Sequence, residues 1–172
     1  MSAPAPARAV LALAAAAALL TACETLPMGG YGPMPPSSAF DTADFTWSTR
    51  QGQASIDGRV DYRRDGQVFA CTGSVALTPD TPYTRARFQV LYGSTDRAAI
   101  PEAVVRARTV ADPTADYRSF VRSTTCANGR FAFDGLPDGG WFIITPVTAG
   151  GARVVLMRRV DTRGGRRISV SL

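Results

Sequence analysis

Apolar and polar positions alternate with a period of two along much of the chain beyond Gln53. Ala54, Ile56, Gly58, Val60 and Tyr62 take every second place among polar neighbours, the pattern of a half-buried strand. Arg64-Asp65-Gly66 makes a turn. Residues 68–71 and 74–77 continue as strand, with Gly73 permitting a bulge or a close approach and Pro79 ending the run. The pattern then changes. Asp80-Thr81-Pro82 opens a short helix within about 80–93, with Thr81 as N-cap, Pro82 at the first helical position and Gly93 as the stop. Phe88, Leu91 and Tyr92 share one face of it at i, i+3 and i+4. An irregular loop is the alternative, because Thr84 and Val90 are weak helix formers. Residues 94–116 carry no clear period, and 101–108 suit either a helical turn or an edge strand.

The last third is strongly patterned. Tyr117, Phe120 and Val121 lead a strand toward Cys126. Asn128-Gly129 fits the positive-φ positions of a tight hairpin. Phe131 and Phe133 then point to one face. A turn cluster at 134–140 precedes residues 141–147, a nearly continuous apolar strand suited to burial on both sides. Residues 154–160 form another strand, 161–165 turn, and Ile168, Val170 and Leu172 alternate to the last residue. About seven strands separated by turns predict an all-β sandwich. Upstream, Phe45 and Trp47 alternate, which suggests a short docking strand at the start of a domain covering 45–172.

The first residues follow different rules. Arg8 precedes twelve uncharged apolar residues, Ala9 to Leu20, the form of a secretory signal and too short to span a bilayer. Leu20-Thr21-Ala22-Cys23 resembles the lipobox of bacterial lipoproteins. That resemblance implies cleavage after residue 22, a diacylglyceryl group on the Cys23 thiol and acylation of its amine. A chance thiol in an ordinary signal peptide is the alternative. Two or more acyl chains make anchoring stable, at about 0.8 kcal/mol per buried CH₂. Glu24, rather than Asp, after the lipidated residue leans the expected address toward the outer membrane, facing the periplasm. Residues 23–44 are rich in Pro and Gly and read as a tether between lipid and domain.

Removing residues 1–22 leaves 150, enough for one domain with a core. All 19 basic residues are Arg, and the formal charge is +5. There is no His, which excludes Ser-His-Asp and Cys-His nucleophile systems and the usual His-containing zinc sites. With Cys23 lipidated, Cys71 and Cys126 remain. In an oxidising compartment the pair reads as a disulfide; two buried free thiols are the alternative.

Several segments together resemble the carboxypeptidase regulatory-like domain: Gly58-Arg59-Val60, Ser74-Val75-Ala76-Leu77-Thr78-Pro79, the hairpin Asn128-Gly129-Arg130-Phe131-Ala132-Phe133-Asp134-Gly135-Leu136-Pro137, and Trp141-Phe142-Ile143-Ile144. The likeness covers roughly residues 53–172. It implies a transthyretin-like Greek-key β-sandwich, grouped with carbohydrate-binding-like folds. It implies no peptidase activity, since that domain is the accessory one. The chain departs from the pattern with a long insertion over 80–116 and with Trp141 where Tyr is common.

Three sets of side chains remain as candidate chemistry. Asp57, Asp61 and Asp65 recur at intervals of four, a spacing that can serve acid–base work or Ca²⁺ binding but lacks an EF-type loop; turn and strand roles suffice for them. Arg153, Arg158, Arg159, Arg163, Arg166 and Arg167 crowd the last hairpin. Forked guanidinium groups there suit lipid phosphates or an acidic polymer, or else guard an edge against strand addition. Tyr62, Tyr83, Tyr92, Tyr117 and Trp141 could build a sugar-stacking platform, although Trp141 suits a core better. The expectation is a non-catalytic envelope lipoprotein with no cofactor and no metal. Its sandwich serves as a structural or protein-interaction module, or alternatively binds glycan or peptidoglycan. The expected partners are the membrane, envelope proteins or polysaccharide, and not nucleic acid.

Overall fold

The computed structural model describes residues 39–71, 73–110 and 116–172. The signal sequence, Cys23 and most of the tether lie outside the described residues. The chain is an all-β sandwich with short helices. Its first element is a 3₁₀ helix, Thr42–Thr49, not the docking strand that the Phe45/Trp47 alternation suggests. The cause is local hydroxyl bonding. Asp41 caps the first turn, and Thr46, Ser48 and Thr49 each donate back to a carbonyl three residues earlier. Phe45 is fully buried by this turn.

Strand β1 follows at Ala54–Arg59, then the short hairpin β2 (Arg63–Arg64) and β3 (Gln67–Val68), β4 (Ala70–Cys71) and β5 (Ser74–Pro79). Helix α1 occupies Pro82–Tyr92, as the caps predict. Thr81 accepts from the Thr84 amide while the Thr84 hydroxyl accepts from the Thr81 amide, a reciprocal capping box. Gly93 closes the helix at φ 71°, a backbone that a β-carbon would strain. In the unpatterned stretch, edge strand β6 (Arg97–Pro101) comes first, and residues 101–108 then take the helical alternative as helix α2 (Glu102–Ala107). A 3₁₀ turn at Asp116–Phe120 leads into β7 (Arg122–Thr125), β8 (Arg130–Leu136), β9 (Gly139–Ala149), β10 (Ala152–Thr162) and β11 (Arg167–Ser171).

Two sheets face each other. The smaller has the order β11-β1-β8, with β1 parallel to β11 and antiparallel to β8. The larger has the order β6-β10-β9-β5-β7, with β4 also pairing β9. Between them lie Ile56, Val75, Leu77, Phe131, Phe133, Leu136, Trp141 and Ile143. Alternate residues of β9 face opposite ways. Trp141, Ile143 and Val147 enter the sandwich, whereas Phe142 meets Phe88, Tyr92 and Met157 under α1. This is why residues 141–147 read as continuously apolar. On β1, Gly58 leaves room for the Phe131 ring; a β-carbon there would come within 1.9 Å of it.

Cys71 and Cys126 form a disulfide across a sequence separation of 55 residues. It joins β4 to the chain just beyond β7. The adjoining turn has Asn128 and Gly129 at φ 51° and 70°, as the hairpin reading requires.

Candidate functional site

The larger sheet is wider than the smaller one, and the excess leaves a groove. The inner face of β10 and β6 runs past the edge strand β11. The space beneath is an open cleft of about 790 Å³. Its apolar side is Leu156 on β10 beside Ala99 on β6, which are direct cross-strand partners. Its opposite rim is the chain leaving β1, with Asp61, Tyr62 and Arg63, together with Ser171 and Leu172.

Each part of the rim is held from the fold. The parallel β1–β11 ladder extends past both strands: Leu172 donates to the Arg59 carbonyl and Asp61 donates to the Leu172 carbonyl, each at 2.9 Å. Tyr62 is therefore fixed at its backbone. Its ring meets the buried Phe69 ring edge-on at a centroid distance of 5.1 Å. Tyr62 itself is half-buried. Packed against the Phe69 cluster and lining the cleft, Tyr62 can serve as a stacking surface for a flat, amphipathic ligand.

The charge in the groove is mainly positive. Arg158 on β10 shares the sheet face of Ile143, its cross-strand partner, and so points inward. It reaches across the cleft and donates to the Ser171 carbonyl at 2.5 Å. Arg97 on β6 is the direct partner of Arg158 in the antiparallel pair and shares that face. Arg63 stands on the far rim, 3.8 Å from Asp61. Asp61 is also bound by Arg59 at 3.2 Å. Among the described residues it is the only carboxylate side chain lining the groove, and both of its oxygens face arginine.

The arginines singled out in the last hairpin do not form one patch. Arg158 lines the groove. Arg159 is instead part of a structural network: its Nε binds the buried Asp80 at 2.5 Å and its two terminal nitrogens bind Asp161 at 2.8 Å. These bonds, Asp161 foremost, hold the Arg159 pKa above its ordinary value against the opposing effect of partial burial. Arg85 completes the cage around Asp80. Arg153 pairs with Glu102, and Arg167 pairs with Asp57. Arg163 and Arg166 stand exposed on the turn after β10.

The aromatic set also separates. Trp141 is fully buried and donates to Thr162. Tyr83 and Tyr117 stack near each other beside the 3₁₀ segments, and Tyr92 packs on Phe88. Only Tyr62 of the five lines the groove. The aspartates act singly: Asp57 binds Arg167, Asp61 binds Arg59 and Arg63, and Asp65 lies near Arg64. Arg97, Arg63 and the Asp80 cage carried no signal in the sequence. Arg97 falls in the stretch without period, and its pairing with Arg158 exists only through sheet register.

No protein-family model and no curated protein matches the chain. Among solved structures it is similar to a crystal structure described as that of "a putative carbohydrate binding protein" from Pseudomonas aeruginosa. That similarity has 20% sequence identity, covers 77% of this chain and 97% of that one, and reaches a TM-score of 0.52. At this identity the shared property is the fold.

Proposed function

We propose that this chain is a non-catalytic saccharide-binding module, exported and held at the outer membrane by lipid on Cys23. The observation that carries the binding reading is the groove between the overhanging large sheet and the braced ring of Tyr62. An open cleft with one flat aromatic rim and forked donors suits a sugar, whose apolar face stacks while its hydroxyls accept hydrogen bonds. The description of the structurally similar Pseudomonas protein agrees with a saccharide ligand. Among the described residues lining the groove, Asp61 is the only one with a carboxylate side chain, and a paired-carboxylate cleavage site would need two.

A protein partner added at the sheet edge is less well served. β6, which borders the groove, is only five residues long and carries Arg97 and Pro101 at its two ends. Short charged edges with proline discourage strand addition. The signal sequence and lipobox support export and anchoring, and the disulfide fits an oxidising compartment.

The test is retention of the full chain, in detergent, on immobilised polysaccharides and on purified sacculi. Retention on at least one is expected, with Tyr62→Ala weakening it by about tenfold or more. Retention on none above a reduced, heat-unfolded control overturns the saccharide reading. Anchoring has a separate readout: palmitate labelling that persists in Cys23→Ala overturns it.

A further inference from the structure

The groove's charge says what kind of saccharide it takes. Arg97 and Arg158 are direct cross-strand partners on the inward face of the β6–β10 pair. Like charges placed opposite each other in an antiparallel pair oppose the pairing. Neither guanidinium has a carboxylate within 4 Å among the described residues. The other arginines of β10 are neutralised: Arg153 by Glu102, Arg159 by Asp80 and Asp161. Compensation among the arginines of β10 therefore stops where β10 lines this cleft. Asp61, the one carboxylate side chain of the groove among the described residues, is already shared by Arg59 and Arg63.

We infer that the groove binds an anionic saccharide, with a carboxylate or phosphate of the ligand lying between Arg97 and Arg158 while a sugar ring stacks on Tyr62. This rests on the saccharide reading above. An anion between the two guanidiniums turns a repulsive pair into a forked site, with planar donors from both sides. Arg158 is already oriented by its bond to Ser171, so less freedom is lost when the ligand arrives. Arg97 is exposed on the edge strand of the large sheet, within reach of a ligand from solvent.

The experiment is calorimetric titration of the full chain with length-matched oligosaccharides of three kinds: neutral, uronic-acid-containing and phosphorylated. One or both anionic kinds are expected to bind about tenfold tighter than the neutral one, the worth of one charge-assisted contact. Which of them does so identifies carboxylate or phosphate as the group held. Arg97→Gln should remove most of that preference by weakening the anionic ligand far more than the neutral one, and Arg97→Lys should restore part of it. Raising the salt should weaken the anionic ligands alone. Equal binding of neutral and anionic ligands overturns the inference and leaves the saccharide reading standing. Self-association of Arg97→Gln with an unchanged preference also overturns it, since the arginine pair would then be an edge guard. Binding of none of the three removes both readings.

Discussion

Two buried side chains show how single residues set the molecule's tolerances. Trp141 has no exposed surface, yet its indole N–H is satisfied by Thr162 Oγ1 at 3.1 Å, and that hydroxyl donates in turn to the Pro137 carbonyl at 2.7 Å. Thr162→Val would leave the indole donor alone in the core, and a loss of about 1–3 kcal/mol is expected in urea unfolding. Tyr92 makes a pH prediction. Burial, reinforced by the nearby Tyr117 and partly opposed by Arg87, pushes its pKa up from 10.0 to about 12. The folded state therefore keeps a proton that the unfolded state gives up. The resulting stability is complete below pH 10 and is lost as pH rises through the interval from 10 to 12, by on the order of 2–3 kcal/mol. Unfolding midpoints measured from pH 9 to 12 should fall for the native chain and fall less for Tyr92→Phe. Parallel slopes for the two proteins would refute this origin.

Among the elements, helix α1 was the most legible in sequence because its ends are chemical rather than tertiary. Thr81, Pro82 and Gly93 act within a few residues of themselves, so no distant partner was needed to read them. Thr81→Ala removes the cap and should cost about 1 kcal/mol in thermal unfolding. Thr81→Ser should cost much less; equal losses would mean that the methyl group, not the oxygen, holds the helix. The Asn128-Gly129 hairpin was legible for the same local reason. The segment at Phe45 and Trp47 was misread because a period of two is also produced by side chains that a 3₁₀ helix sends to different neighbours. Phe45 stacks near Phe120, and Trp47 stacks against Trp141. What fixes that helix in place is Arg122, whose guanidinium donates to the Ser48 carbonyl at 2.8 Å from 74 residues away. No local pattern announces such a bond. The groove was illegible for a similar reason: Tyr62, Arg97 and Arg158 meet only because one sheet is wider than the other.

At the scale of the whole molecule, that width difference puts unusual demands on whatever keeps the sheets together beside the cleft. Arg158 crosses the open side with one hydrogen bond to Ser171. The covalent tie lies deeper. Cys71 packs between the main core and the smaller cluster around Phe69, the ring that braces Tyr62, and its disulfide runs to Cys126 at the entrance to the β8 hairpin. The bridge thus links the large sheet, the groove rim and the chain entering the small sheet. Closing a loop of this length restricts the unfolded chain by roughly 4 kcal/mol on the loop-entropy model. Replacing both cysteines by alanine should therefore lower the unfolding free energy of the full chain, read from its urea transition, by an amount of that order. Adding a reductant should lower the native protein's midpoint and leave the variant's unchanged. Stability and binding should separate, because the Tyr62 backbone is held by the β1–β11 ladder and not by the bridge. Well below its melting transition, the double-alanine variant should keep its affinity for a groove ligand within about threefold, an energy difference under 1 kcal/mol. A larger loss in the folded variant would show that the disulfide shapes the rim itself, acting through Phe69.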